Sequence, residues 1–342
     1  MRILLACDRS GGHVFPALAL AKKIKEHSPE ATVSFFVTAP FLKEHLAREG
    51  FCVSGKVFPS RNVLVEMIFR LLEAAYLIVR ERPQKIVGFG GRDSFFLVLF
   101  GSLCMRKTYI YEPNATMGRA NRVLSIFAGK ILVGFPLRSA TRRAQAVGIP
   151  LRDTIRIIDK TRARAALGLT ESPVIFCFGG SQGSAFLNST CLRLAREIKE
   201  DFQIIHLTGK REYFQITQFY NTIEKTTFVR DFYYSMELLY SAADAVITRC
   251  GASTLAEIIY YKLPALLVPY PAAGAHQEAN AAYFRKRGAA FMFTQENFSF
   301  DEFAEVLTQV LFNTQLRERL RENLSAMDIE VGIEKFYRAV CA

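Results

Sequence analysis

Along the chain, short, largely apolar runs alternate with longer stretches in which apolar residues recur every three or four positions. Ile3 to Ala6, Thr32 to Val37, Lys85 to Phe89, Gln203 to Leu207 and Ala245 to Thr248 are of the first kind and read as buried strands. In "LLACDRSGGHVFPALALAKKI", residues 4–24, Ala17, Leu18, Leu20, Ala21 and Ile24 follow at helical spacing, and Pro16 suits a first helical turn. The segment "SPVIFCFGGSQGSAFLNSTCLRLAREI", residues 172–198, repeats the sequence of apolar strand, Gly-Gly turn and helix, with Leu187, Leu192, Leu194 and Ala195 facing a core. Strands alternating with helices predict parallel sheets, and two such series predict two doubly wound α/β domains. "FPLRSATRRAQAVGIPLRDTIR", residues 135–156, holds two prolines and a cluster of arginines and reads as the linker. Ligands of such sheets sit outside the carboxyl ends of the strands, where both Gly-Gly turns fall. Two such edges facing each other across a cleft would suit a bulky phosphorylated substrate pair.

Composition narrows the class. With 342 residues, half of them apolar, there is material for two cores. The longest apolar run, Phe95 to Met105, is about half of the roughly 20 residues a spanning helix requires, which argues against an integral membrane protein. The opening strand, with its one Arg and the Gly turn behind it, is neither a signal peptide nor an anchor, so the mature chain is expected to start there. Seven scattered cysteines with no CxxC pair predict small buried thiols in a reducing compartment, without disulfides or a zinc site. The net charge of +12 calls for an anionic partner: nucleic acid, an anionic membrane surface or phosphorylated small molecules. Nucleic acid ranks last, because no recognition motif appears and aromatics are not interleaved with the basic residues. In residues 61–85, Arg61, Arg70, Arg80, Arg82 and Lys85 accompany Val63, Leu64, Met67, Ile68, Leu71, Leu72, Tyr76, Leu77 and Ile78 at helical spacing. An interfacial helix on anionic lipid has this pattern, and so does a half-buried helix of an α/β domain.

The candidate chemistry sits in the turns. Asp8 to His13 join a strand to a helix, where backbone amides and the positive end of a helix dipole can face an anion. The two glycines also fit a purely structural purpose, close packing of helix on strand. Neither Gly-Gly turn is G-x-G-x-x-G, which weakens a dinucleotide reading. In "ADAVITRCGASTLAEIIYYKLPALLVPYP", residues 243–271, Gly251 ends a turn, Ser253 and Thr254 fall in the first helical turn and Glu257 follows one turn later. Helix amides and hydroxyls can hold a diphosphate there while a carboxylate accepts from a ribose diol. An N-capping Ser or Thr with a surface Glu is the structural alternative. Next, "AAGAHQEANA", residues 272–281, offers His276, Gln277 and Asn280 to the hydroxyls of a sugar.

Taken in order and at these separations, "SGGHVFPALALA", "NATMGRANR", "GIPLRD", "FGGSQGSAFLN", "TRCGASTLAEI" and "HQEANA" resemble the MurG family over nearly the whole chain. These are peripheral-membrane glycosyltransferases that add N-acetylglucosamine (GlcNAc) from UDP-GlcNAc to the lipid-linked muramoyl-pentapeptide of peptidoglycan synthesis. The resemblance implies a GT-B fold: an acceptor- and membrane-facing domain of residues 1–151 plus 328–342, and a donor domain of residues 152–327. It implies that Arg152, Ser181 and Gln182 lie at the nucleotide or its phosphates and that the backbone near Phe232 and Tyr233 holds uracil. Ala252, Ser253, Thr254, Leu255, Ala256 and Glu257 would hold the diphosphate and ribose, and His276, Gln277 and Asn280 the sugar. Ser10, Gly11, Gly12 and His13 would face the acceptor diphosphate and the reaction centre, with Asn114 close by and Ser10, Gly11, Gly12 and Asn114 also bordering the donor.

The resemblance also implies inverting transfer to the muramoyl C4 hydroxyl, on the cytoplasmic face of the plasma membrane; the alternatives are a GT-B UDP-sugar transferase with a different lipid or soluble acceptor, and a non-catalytic nucleotide-sugar-binding protein. The implied partners are UDP-GlcNAc, a polyprenyl-diphosphate acceptor and the anionic membrane surface, without nucleic acid. No D-x-D stretch is present, so neither a donor-holding metal nor a further cofactor is expected. An imidazole titrates near the working pH, which makes His13 the first candidate for the base, with Asp8 and Glu112 as alternatives. His27, His45 and His206 stand outside any motif and are expected to be structural or exposed. Three departures fall in the first domain. Asp8, Arg9 and Ser10 stand where the family usually has a second Gly-Gly and a Thr. Tyr111-Glu112-Pro113-Asn114 replaces a His-Glu-Gln-Asn tetrad, and Arg92 follows Gly90-Gly91 where an aromatic is usual.

Overall fold

A computed structural model describes residues 1–57, 62–136, 143–273 and 275–342. Arg61, residues 137–142 of the expected linker and Gly274 lie outside the described residues. The chain forms two compact units, Met1–Arg152 with Asp328–Ala342, and Asp153–Met327.

The first unit runs β1 (Arg2–Ala6), α1 (Gly11–His27), β2 (Thr32–Phe36), α2 (Pro40–Arg48), β3 (Cys52–Ser54), α3 (Val63–Glu81), β4 (Lys85–Gly88), α4 (Arg92–Leu103), β5 (Lys107–Glu112), α5 (Arg119–Phe127), β6 (Lys130–Val133) and β7 (Ala144–Ala146). The strands form one parallel sheet in the order β3-β2-β1-β4-β5-β6-β7. Both faces are covered, which explains why the strands read as unbroken apolar runs. Ile3 and Leu5 point into a core shared with α1 and α2, whereas Leu4 and Ala6 point into one shared with α3, α4 and α5, as the two-residue period of a strand requires.

Sequence pattern and structure part company at three places in this unit. First, α1 starts at Gly11, so both glycines lie in its first turn and Pro16 is interior, where its missing amide leaves the Gly12 carbonyl without an i+4 donor. Second, the linker segment contains β7, an edge strand too short for its pattern to stand out. Third, the apolar run Phe95 to Met105 is only partly exposed: Phe96, Leu97 and Val98 are buried in α4, whereas Leu103, Cys104 and Met105 stand out, so Cys104, like Cys52, is not the buried thiol the sequence predicts. Helix α3 is the half-buried helix of its segment. Ala74, Leu77 and Ile78 pack inward, while Leu64, Met67, Ile68, Leu71, Leu72, Tyr76 and Val79 are exposed. Of its basic residues, Arg80 and Arg82 are exposed, but Arg70 and Lys85 are buried.

The second unit runs α6 (Lys160–Ala166), β8 (Val174–Phe178), α7 (Ala185–Glu197), β9 (Gln203–Leu207), α8 (Tyr213–Tyr220), β10 (Thr227–Arg230), α9 (Met236–Ala242), β11 (Ala245–Thr248), α10 (Ala252–Tyr261), β12 (Ala265–Leu267), α11 (His276–Lys286), β13 (Phe291–Met292), α12 (Phe300–Phe312) and α13 (Thr314–Ser325). Its six strands are parallel in the order β10-β9-β8-β11-β12-β13. His206 on β9 is structural. Its Nε2 donates to Asn188 Oδ1 at 3.0 Å, because an amide oxygen only accepts, and its Nδ1 accepts from the Tyr220 hydroxyl at 2.9 Å. Two of the scattered cysteines, Cys177 and Cys191, converge on this group, all three possible ligand atoms within 4.8 Å of one another. Both ring nitrogens are already engaged, so the group is a closed hydrogen-bonded core.

The chain then returns to the first unit through α14 (Glu334–Cys341). Phe336, Ala339 and Val340 complete the core against α1, and Phe336 stacks obliquely on Tyr111 at 4.6 Å between ring centroids. Lys85 reaches the end of this helix, donating from Nζ to the carbonyls of Val340 (2.5 Å) and Cys341 (3.2 Å). A cation suits the last carbonyls of a helix, and burial pulls the Lys85 pKa below the ordinary lysine value.

Candidate active site

Each unit carries its candidate residues where the strand order reverses, at the carboxyl ends of two central strands. In the first unit these are β1 and β4. Ser10 is the N-cap of α1, yet its hydroxyl meets His13 Nδ1 at 3.2 Å and bonds none of the helix amides. A side chain on Gly12 would meet nothing nearer than Ser10 Oγ at 3.9 Å, so packing does not account for that glycine, and the approach to the backbone is open. Gly91 is different: its φ is +83°, and a Cβ there would lie 2.0 Å from Asp8 Oδ2, so a side chain is barred twice over. A Cβ on Gly90 would lie 3.5 Å from both His13 Nε2 and Asn121 Nδ2. The turns after β1 and β4 therefore adjoin, with Asp8 and His13 facing the second.

Glu112, at the end of β5, is 3% exposed. It accepts four hydrogen bonds: from the Asn114 amide (3.1 Å) and Nδ2 (2.8 Å), the Gly118 amide (2.8 Å) and Asn121 Nδ2 (3.0 Å). These use every lone-pair direction of a carboxylate, leaving none for an incoming hydroxyl. The geometry thus makes Glu112 the organiser of its loop and removes it from the candidate bases.

In the second unit the reversal lies between β8 and β11. Ser181 and Gln182 are exposed in the turn after β8. Gly183, at φ +75°, would place a Cβ 2.1 Å from the Thr208 carbonyl, so the turns after β8 and β9 meet backbone to backbone. After β11, Gly251 is the N-cap of α10 and offers no side chain, leaving Ser253 and Thr254 half-buried beside the first-turn amides. The structural alternative of an N-capping hydroxyl and a surface glutamate does not form. Glu257 is 3% exposed, and its Oε2 accepts from the Tyr240 hydroxyl at 2.7 Å. His276 and Gln277 open α11, half-buried, and Gln277 Oε1 accepts from the amides of Cys250 (3.1 Å) and Tyr270 (2.9 Å).

Other expected residues stand elsewhere. Leu255 and Ala256 are fully buried core positions of α10, and Asn280, also fully buried, spends its Nδ2 on the Cys250 carbonyl at 3.0 Å. Asn280 therefore shapes the turn after β11 and presents no surface to a sugar. Phe232 and Tyr233 follow β10, two strands from β8. The Phe232 amide is bonded to Asp231 Oδ1 at 2.8 Å, and the Tyr233 ring lies edge-on to Phe228. Arg152 closes the first segment of the first unit.

Residues 3–133 match the glycosyltransferase family 28 N-terminal domain and residues 174–335 its C-terminal domain. The crystal structure of Acinetobacter baumannii MurG superposes with a TM-score of 0.81 over 99% of this chain and 98% of that one, at 23% identity. A Desulfotalea psychrophila protein named UDP-N-acetylglucosamine--N-acetylmuramyl-(pentapeptide) pyrophosphoryl-undecaprenol N-acetylglucosamine transferase is 32% identical, covering 94% of this chain and 91% of its own. The Moorella thermoacetica protein of the same name is 33% identical over 96% and 93%. The chain belongs to the MurG family.

As a MurG-family glycosyltransferase it has the two parallel-sheet α/β units of the GT-B fold. Two of the residues singled out in the first unit, Arg9 and Arg92, are joined in space. Arg9 donates from Nε to Asp93 Oδ2 (2.8 Å) and from Nη2 to Glu66 Oε1 (3.1 Å), and Arg92 donates to that same Glu66 oxygen at 3.0 Å. Asp93 also accepts from Thr38 at 2.5 Å and lies 3.6 Å from Arg70 Nε. Burial alone would raise the Asp93 pKa, but Arg9, Thr38 and the charge of Arg70 outweigh it and hold the carboxyl below the usual range.

Two residues of the second unit escaped the sequence reading. Tyr240 orients Glu257 from 17 positions away, with an entire strand in between. Arg249, 8% exposed, donates to the carbonyls of Val268 and Pro269 (3.1 Å each), to Gln295 Oε1 (2.9 Å) and to Ser184 Oγ (2.7 Å). It thereby ties together the turns after β8, β11 and β12. An arginine closing the apolar run Ala245 to Thr248 was the available signal.

Proposed function

We propose that the chain moves GlcNAc from UDP-GlcNAc to the muramoyl C4 hydroxyl of undecaprenyl-diphosphate-MurNAc-pentapeptide, with inversion, at the cytoplasmic face of the plasma membrane. One observation carries the reading: the chain aligns almost end to end with relatives bearing that transferase name.

The donor falls to the second unit. The first-turn amides of α10, with Ser253 and Thr254, take the diphosphate, and the turn at Ser181 and Gln182 adds donors to it. Glu257, held by Tyr240, accepts from the ribose diol. His276 and Gln277 face the sugar, and the turn at Phe232 and Tyr233 takes the uracil. Fixed dipoles at α10 offset the charge that develops on departing UDP, which lowers the barrier because they need no reorganisation.

The acceptor falls to the first unit. The muramoyl hydroxyl attacks the anomeric carbon, the glycosidic bond to UDP breaks, and the hydroxyl proton passes to His13. With Nδ1–H donating to Ser10 Oγ, Nε2 is the basic nitrogen, on the side of Gly90. Among the described residues no helix is long and apolar enough to cross a membrane. The exposed apolar face of α3, with Ile126 and Phe127 of α5, Leu103 and Met105, supplies an interfacial surface instead, and α4 packs between α3 and α5.

The test is UDP release from UDP-GlcNAc by the purified protein, with and without a short-chain muramoyl-pentapeptide diphospholipid. Release is expected to require the acceptor, to be lost in Glu257→Ala and to fall at least 100-fold in His13→Ala. UDP-GlcNAc binding without UDP release on that acceptor would overturn the acceptor half and leave the donor half standing.

A further inference from the structure

The residues joined through Arg9 and Arg92 form a charge cluster in which hydrogen-bond acceptors are scarce. Glu66 serves two guanidiniums through one oxygen, and Asp93 serves Arg9 and Thr38. Buried Arg70 reaches Glu73 and the Lys56 carbonyl through Nη1, but among the described residues its Nε and Nη2 have no hydrogen-bond partner. The carboxylates lie inside, with 12% of the Glu66 side chain and 1% of the Asp93 side chain exposed, whereas Arg9 and Arg92 are half exposed at 50% and 52%. Asp8 is turned onto the Gly91 backbone. The cluster therefore shows solvent mainly the outer edges of two guanidiniums, whose Nη2 atoms lie within about 6 Å of each other across the shared oxygen.

We infer that Arg9 and Arg92 form a two-pronged seat for a diphosphate carried on a lipid. Arg9 spends Nε and Nη2 on Asp93 and Glu66, which leaves Nη1, whereas Arg92 spends only Nη2 on Glu66; both stay charged at any working pH. Two such cations side by side suit two linked phosphates better than one. Position selects the lipid. Arg9 leads directly into Ser10 and His13, Arg92 is the first residue of α4, and the carboxylate joining them belongs to the first turn of α3, the helix with the exposed apolar face. A ligand with its chain in the interface and its head at His13 passes this pair. The inference rests on the proposed reaction and assigns its acceptor diphosphate to two side chains.

Two measurements test it separately from that reaction. In neutral detergent, isothermal titration with a short-chain prenyl diphosphate should show binding that weakens about tenfold in Arg92→Ala, which removes a side chain that pairs with Glu66. The effect should be smaller in Arg92→Lys, which keeps the charge and loses the fork. A prenyl monophosphate should bind more weakly and respond less to the substitution. In turnover assays, Arg92→Ala should raise KM for the acceptor by a similar factor and leave KM for UDP-GlcNAc within twofold. Arg9→Lys, which retains a charge beside Asp93, gives the matching result for the other prong. Unchanged prenyl-diphosphate affinity in a folded Arg92→Ala protein overturns the seat, whether or not transfer occurs. Lost affinity in a protein that never transfers to the acceptor sustains the seat and overturns the reaction.

Discussion

Asp93 shows how one side chain can carry both stability and site geometry. Its carboxylate is buried among Arg9, Arg70 and Thr38, and removing one partner of such a group strands the others. Asp93→Asn should lose about 3 kcal/mol in urea unfolding at neutral pH. The sign with pH follows from the depressed pKa. The native state binds fewer protons than the unfolded one, so this stability is fully present above the ordinary carboxylate value, about 3.9. It is lost as pH falls through the lower folded value, and the gap between wild type and variant should close there. In the second unit, Tyr240→Phe removes the phenol that fixes Glu257. A hydrogen bond to a charged group contributes roughly 1.5–3 kcal/mol, so KM for UDP-GlcNAc should rise about tenfold or more with kcat nearly unchanged. An equal fall in kcat would place Tyr240 in the chemical step instead. The sequence named Glu257, His276 and Gln277, because turn residues behind apolar strands are conspicuous. It could not tell Asn280, which serves a backbone carbonyl, from a residue that serves a ligand, since polarity alone does not say which way a side chain is used. Nor could it join Arg9 to Glu66 and Asp93, positions that only the strand order brings together.

At the scale of elements, periodicity was the reliable guide. The strands Gln203–Leu207 and Ala245–Thr248 run as the pattern predicts, and the segment 61–85 folds as α3 over Val63–Glu81. What periodicity missed was short or polar, such as β7, or turned on a single residue: Pro16 was read as a helix start, whereas α1 begins five residues earlier. The two faces of α3 give a direct prediction. Ile68 and Leu72 are one turn apart and more than half exposed, and burying such a side chain in lipid is worth about 1.5–3 kcal/mol. Ile68→Glu with Leu72→Glu should lower binding to anionic vesicles by at least 100-fold in a sedimentation assay and leave thermal stability unchanged. Wild-type binding should weaken between about 0.05 and 0.5 M salt, because exposed Arg80 and Arg82 are screened over that range. Salt-independent binding would leave burial as the whole of the attraction.

For the whole molecule, both doubly wound units were legible, because alternating strands and helices leave few other architectures. The division of labour proposed for them makes its own prediction. Hydrogen exchange with UDP-GlcNAc present should slow at Ser181–Ser184, Ala252–Glu257 and His276–Gln277 and leave Asp8–His13 and Gly90–Asp93 nearly unchanged. Protection confined to the first unit would reverse the donor assignment. The return of α14 carries a consequence for biosynthesis. The first unit begins to leave the ribosome first, yet Phe336, Ala339 and Val340 belong to its core and Lys85 waits for the carbonyls of Val340 and Cys341. All of the second unit is translated in between. The half encoded first is thus the half that finishes last, and a chain truncated before residue 334 and released should carry a protease-resistant second unit and an unfinished first one. Throughout that interval the apolar strands of the first sheet lack one of their covering helices, which makes this stage of synthesis the one most in need of a chaperone.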